Sequence, residues 1–100
     1  MLTVAELQAQ TVIKGNVTDT SGEPLFNVSV LVHNAGSNLI IAYGFSDIDG
    51  NYEISFNSPS DSLDIKTNSS FYEKITKRIA NTSQTIDFVL KEEVYELKGV

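Results

Sequence analysis

Ser46-Asp47-Ile48-Asp49-Gly50-Asn51-Tyr52-Glu53-Ile54-Ser55-Phe56 reads as the end of one strand, a tight turn and a second strand. Tyr52, Ile54 and Phe56 alternate with Asn51, Glu53 and Ser55. A period of two sends the first set to one face of a pleated strand and the second set to the other. The turn falls at Asp47-Ile48-Asp49-Gly50 and predicts a hairpin, because Gly accepts positive φ without steric cost and Asp tolerates it. The remaining sequence repeats this grammar of short alternating runs broken by Gly, Asn, Ser and Asp.

Upstream, Thr11 to Thr18 forms a strand with Ile13 and Val17 on one face and Gly15 between them. A turn at Asp19 to Pro24 follows, and Pro24, lacking an N–H, must precede the next strand. Phe26 to His33 carries Phe26, Val28, Val30 and Val32 at alternate positions. Leu39 to Phe45 is apolar on both faces, which predicts a central strand or one whose second face something else covers. Downstream, Ser62 to Thr67 turns Leu63 and Ile65 inward. Phe71 to Ile79 aligns Phe71, Ile75 and Ile79, interrupted by Glu73 and Lys77, as suits an edge strand whose charges deter pairing with another sheet. Gln84 to Leu90 turns Ile86, Phe88 and Leu90 inward. Seven short strands with turns about every ten residues predict an all-β, two-sheet Greek-key sandwich. No Cys…Trp…Cys spacing marks an immunoglobulin domain.

The 100 residues include 7 basic and 13 acidic side chains, a formal charge of −6, and no cysteine. A chain of this length makes one domain and can bury a core without disulfides or metal. The acidic balance argues against nucleic acid as a partner and suits a domain that stays dispersed. No apolar run approaches the ~20 residues of a membrane-spanning helix. Residues 1–10 lack the basic start and long apolar centre of a complete signal peptide, yet Leu7-Gln8-Ala9-Gln10 resembles the surroundings of a secretory cleavage site. They read as a leader or signal-peptide remnant, or as an ordinary N-terminal segment. Residues 11–91 read as the sandwich and 92–100 as a linker to a region downstream.

Several residues invite chemical readings. Asp47, Asp49 and Asn51 resemble half of a calcium loop, with oxygen ligands at alternate positions. A full site needs about six oxygens, no glutamate stands at the distal position, and hairpin-turn chemistry accounts for the same residues. His33, the only histidine, has no cysteine or second histidine with which to build a triad or zinc site, and is placed at a strand end. Asp61 and Asp64 lie close in sequence, as turn and strand positions also explain. Lys66, Lys74, Lys77 and Arg78 can gather into a patch for an acidic partner or lipid headgroups, or can simply charge an edge strand. Asn16, Asn27, Asn68 and Asn81 open N-x-S/T sequons, and Asp61-Ser62-Leu63 resembles an O-glycan acceptor of some secreted bacterial proteins. No catalytic residue and no cofactor is expected.

Taken in order, Ile13-Lys14-Gly15-Asn16-Val17-Thr18-Asp19, Gly22-Glu23-Pro24-Leu25, Val28-Ser29-Val30 and Ser46-Asp47-Ile48-Asp49-Gly50-Asn51-Tyr52 resemble the carboxypeptidase regulatory-like domain. The resemblance covers Thr11 to Lys91 and implies a seven-stranded, transthyretin-like (prealbumin-like) sandwich. It further implies a non-catalytic accessory domain, as found ahead of the plug and barrel of TonB-dependent outer-membrane transporters. Its partners there would be that downstream plug and barrel and a TonB-type periplasmic protein. Its place would be the periplasmic side of the outer membrane, or otherwise the cell envelope or a secreted location. Glu96, Leu97 and Val100 match the E-L-x-x-V joint that follows the domain in such proteins, and are the docking residues this implies. Three positions depart from the pattern. Phe26-Asn27 stands where Pro-Gly is frequent, Phe71 where a Gly precedes the aromatic of the sixth strand, and Lys98 where an acidic residue is usual. The alternatives are an accessory sandwich of a secreted metallopeptidase or other enzyme, and a glycan-binding or adhesion module.

Overall fold

A computed structural model describes residues 10–93. They form β1 (Thr11–Asp19), β2 (Ser29–Asn34), β3 (Ile40–Phe45), β4 (Asn51–Phe56), β5 (Ser62–Asn68), β6 (Thr76–Ala80), β7 (Gln84–Thr85) and β8 (Phe88–Leu90). One sheet has the order β4-β1-β7, with β8 extending β7 alongside β1, and the other the order β3-β2-β5-β6. The chain is therefore the all-β sandwich that its alternation predicts. The turn and the second strand of the opening stretch form as expected, but β3 and β4 make no hairpin: they lie in different sheets, and β4 pairs with β1 instead. β4 buries Tyr52, Ile54 and Phe56 and exposes Asn51, Glu53 and Ser55. Ile13 and Val17 of β1, Val30 and Val32 of β2, Leu63 and Ile65 of β5, and Phe88 and Leu90 of β8 complete the interior, together with Val28 just ahead of β2. Full burial of such side chains supplies about 1.5–3 kcal/mol each.

The second strand is shorter than its alternation suggests. Asn27 has φ 64 and stands opposite Ser46 together with Val28, so two residues face one. Asn27 N donates to Ser46 O at 2.8 Å, and Ser46 N donates to Val28 O at 3.0 Å. This bulge breaks the alternation and leaves Phe26 outside, 68% exposed, instead of inward with Val28. Phe71 is likewise exposed, because its φ of 71 takes residues 71–73 off the line of β6. They bond instead to residues 91–93, with Glu73 N on Lys91 O at 2.9 Å and Glu93 N on Phe71 O at 2.6 Å. A left-handed conformation costs a residue with a Cβ about 1–2 kcal/mol, and only Asn, of these two, tolerates it well.

The expected seventh strand is split. β7 and β8 both run parallel to β1 in one register, Ile13 opposite Gln84 and Val17 opposite Phe88, an offset of 71 in each case (84 − 13 and 88 − 17). Ile86 N still donates to Lys14 O at 2.8 Å. The Ile86 carbonyl, however, turns across Gly15 and accepts from the Tyr52 hydroxyl at 2.6 Å. The Asp87 carboxylate takes the N–H of Asn16 in its place, at 2.9 Å. Burial, and then the charge of Asp87, raise the Tyr52 phenol above its ordinary pKa, so it remains a hydrogen-bond donor.

Candidate functional site

The Leu39 to Phe45 run is not central. β3 lies at one edge of its sheet, and no described strand pairs with its second side. An apolar pattern on both faces is shared by central strands and by uncovered edges, and here the second holds. Leu39 is 75% exposed, Tyr43 63% and Phe45 53%, with Ile40 and Ile41 exposed beside them. The Tyr43 and Phe45 rings meet edge to face, with centroids 5.8 Å apart. Because Ser46 directs its N–H and C=O at the segment leading into β2, alternation along an antiparallel ladder points those of Tyr43 and Phe45 outward.

The edge of the other sheet, β4, lies beneath. Gly44 makes this approach possible, since a Cβ there would sit 2.9 Å from Ile54 Cγ1. Ile40, Ile41, Tyr43, Ile54 and Glu53 line an open depression of about 510 Å³ between the two edges. A second depression, of about 540 Å³, crosses the outer face of the β4-β1-β7 sheet among Lys14, Asn16, Phe45, Asp47 and Asp87, and meets the first at Glu53. Residues 39–46 carry no charge, whereas Asp47, Asp49 and Glu53 stand beside them and, among the described residues that line the two depressions, only Lys14, paired across the ladder with Glu53, offsets them.

Asp47, Asp49 and Asn51 are brought together by the turn. Asp47 Oδ1 accepts from Asp49 N and Asn51 N, both at 2.9 Å, and Asn51 Oδ1 accepts from Asn16 Nδ2 at 2.9 Å. Gly50 has φ 81, and its carbonyl accepts from Val17 N at 2.7 Å. These oxygens hold the reversal against β1, and among the described residues no group of three His, Asp or Glu side chains is placed to hold a metal ion.

The basic residues do not form one face. Period two places Lys66 and Arg78 on the outer face of the β3-β2-β5-β6 sheet, opposite the core-facing Leu63, Ile65 and Thr67. Lys77 turns the other way: its Nζ stands 4.8 Å from the centre of the Phe88 ring and donates to Asp87 O at 2.6 Å. It thereby closes the β6 side of the sandwich with its stem and charge. Lys74 is exposed ahead of β6. Edge placement of the sixth strand is thus realised, with charge on the strand itself. Glu96, Leu97 and Val100 lie outside the described residues. Of the sequon asparagines, Asn16 and Asn81 have amides committed to internal hydrogen bonds.

A polar cluster on the same outer face is not legible in the sequence. Arg78 Nε and Nη2 donate to the two carboxylate oxygens of Asp64 at 2.8 and 3.0 Å, and Gly36 N donates to Oδ2 at 2.9 Å. His33, paired with Asp64 across the ladder, is buried, and neither ring nitrogen has a partner among the described residues. The Arg78 guanidinium, and then the Gly36 N–H, hold the Asp64 carboxyl well below the usual carboxylate range. A depressed folded-state pKa stabilises the fold above the unfolded value of about 3.9, and that contribution is lost as pH falls through the folded one. Urea unfolding followed from about pH 5 to 2 is therefore expected to show a steeper loss of stability in the natural chain than in Asp64→Asn. The difference in slope should reach at most one bound proton, and equal slopes would show that the pair does not persist in solution.

No family model matches this chain, and no curated protein matches it. Among solved structures it is similar to chlorocatechol 1,2-dioxygenase from Pseudomonas putida, with TM-score 0.65 and 14% identity over 83% of this chain and 60% of that one. It is similar to 3-chlorocatechol 1,2-dioxygenase from Rhodococcus opacus 1CP, with TM-score 0.63 and 14% identity over 91% of this chain and 63% of that one. It is also similar to the Bacillus anthracis TIE protein, with TM-score 0.60 and 15% identity over 84% of this chain and 17% of that one. The chain thus spans less than two thirds of each of these neighbours. At such identities the likeness is one of fold, and it carries no activity across.

Proposed function

We propose that this sandwich is a non-catalytic accessory domain that docks a partner along its open side. The observation that carries this reading is the contrast between the two edges of one sheet. β6 bears Lys77 and Arg78, the usual protection against unwanted pairing, whereas β3 bears no charge and exposes Ile40, Ile41, Tyr43 and Phe45 together. Contiguous exposed apolar surface of this kind marks interaction sites.

The context proposed for the domain is the periplasmic side of an outer-membrane TonB-dependent receptor, ahead of its plug and barrel. Backbone geometry supports the family resemblance behind it. The two positions where a glycine is usual and this chain has another residue, Asn27 and Phe71, are the two non-glycine residues with positive φ among those described. The glycines of the matching turns, Gly22 and Gly50, also have positive φ, 89 and 81.

Fractionation of the native host's envelope with an antibody to this domain is expected to give an outer-membrane band far larger than 11.0 kDa. A photo-crosslinking residue at position 43 of that parent should give a discrete adduct, and one at the exposed Val89 on β8 should give none. A soluble band would move the domain to the metallopeptidase-accessory or adhesion reading. Equal adducts from both positions, or none from position 43, would refute docking through β3.

A further inference from the structure

We infer that the open edge of β3 takes up an extended, basic segment of its partner as an added strand. The inference rests on the docking reading and gives the partner a chemistry. The outward N–H and C=O groups of Tyr43 and Phe45 offer a ladder with no described occupant, so the matching surface is itself a strand. A segment beside β3 alternates its side chains between two faces. One face continues the apolar row of Phe45, Tyr43 and, one strand further in, Leu31. The other faces the depression floored by Ile54 and rimmed by Glu53. Apolar residues at alternate positions satisfy the first face.

Charge decides between occupants. Among the described residues lining the two depressions, Asp47 and Glu53, with Asp49 in the adjoining turn, stand against Lys14 alone, and the whole chain carries −6. Two copies joined at β3 would bring two acidic rims together, whereas lysines or arginines on the added strand would meet them favourably. A second copy is therefore the disfavoured occupant.

The test uses the full chain, isotopically labelled, with two soluble synthetic peptides of about ten residues. One alternates valine with lysine and the other alternates valine with glutamate. The lysine peptide is expected to bind at least about tenfold more tightly than its glutamate counterpart and to weaken as salt rises. Its binding should shift the amides of residues 40–45 and slow hydrogen exchange at Tyr43 and Phe45. Tyr43→Lys, at an exposed position that should leave the fold intact, is expected to weaken binding about tenfold, and Glu53→Lys to remove the preference for the lysine peptide. Equal binding of both peptides, or binding of neither, would overturn the inference. Protection of Tyr43 and Phe45 that grows with protein concentration and no peptide would assign the edge to a second copy. A position-43 adduct in the host without strand protection by the lysine peptide would leave docking standing and refute strand addition. The absence of that adduct would instead refute docking itself.

Discussion

Gly15→Ala is expected to lose about 4 kcal/mol of stability or to fail to fold. A Cβ at position 15 would lie 1.8 Å from the Ile86 carbonyl oxygen and 2.6 Å from its carbon. Both are backbone atoms, so no side-chain rotation relieves the contact. The Ile86 carbonyl cannot retreat cheaply, since it accepts the buried Tyr52 hydroxyl on one side while Ile86 N is tied to Lys14 on the other. Separating the β7–β8 junction from β1 would also draw Phe88 and Leu90 out of the core. Overpacking in a yielding core typically costs about 1–3 kcal/mol, and this site has less freedom than most. Urea unfolding of purified Gly15→Ala measures the loss. A variant within about 1 kcal/mol of the natural chain would show that the Ile86 carbonyl does not cross Gly15.

Ser46→Ala is expected to cost about 2–3 kcal/mol, a large effect for one hydroxyl. Ser46 is 2% exposed, and its Oγ accepts from Val28 N at 2.8 Å while donating to Leu25 O at 2.7 Å. Val28 is itself buried, so alanine strands a donor that water cannot reach, and leaves the Leu25 carbonyl without its partner. The same hydroxyl completes the bulge at Asn27, whose extra N–H the regular ladder does not accommodate. Ser55→Ala, an exposed serine on β4, should stay within about 0.5 kcal/mol and serves as the comparison. A small effect at Ser46 would mean that the 25–28 segment adapts without it.

These two residues mark where sequence reading stops. Tyr52, Ile54 and Phe56 are legible because a strand with one wet face must alternate, and nothing overrides the pattern. Phe26 shares the pattern with Val28 but not the outcome, since one positive φ at Asn27 shifts the parity. Gly15 reads as a gap in an apolar face, and only the path of a strand 71 positions away shows why no larger residue fits. The Asp64–Arg78 pair depends on the register of β5 against β6, and the dispersal of the basic residues on the opposite parity of Lys77 and Arg78. At β3 the composition is plain, but composition does not distinguish a strand with a neighbour on each side from one with a side to spare.

The parallel pairing of β1 with β7 and β8 has a mechanical consequence. Thr11 enters at one pole of the sandwich, and Leu90 leaves beside Asp19 at the other. A pull applied between residues 10 and 93 therefore acts along β1 and β8 in opposite directions and loads their ladder in shear. The hydrogen bonds of this parallel ladder run across the strands and would share the load instead of unzipping one at a time, and the Ile86–Gly15 crossing lies within the loaded segment. The pairing of residues 71–73 with 91–93 takes part of the pull at that end, while β2, β3 and β5 stand off the line of force. A pull from pole to pole would thus load β1 and β8 first and leave the uncharged edge of β3 outside its path.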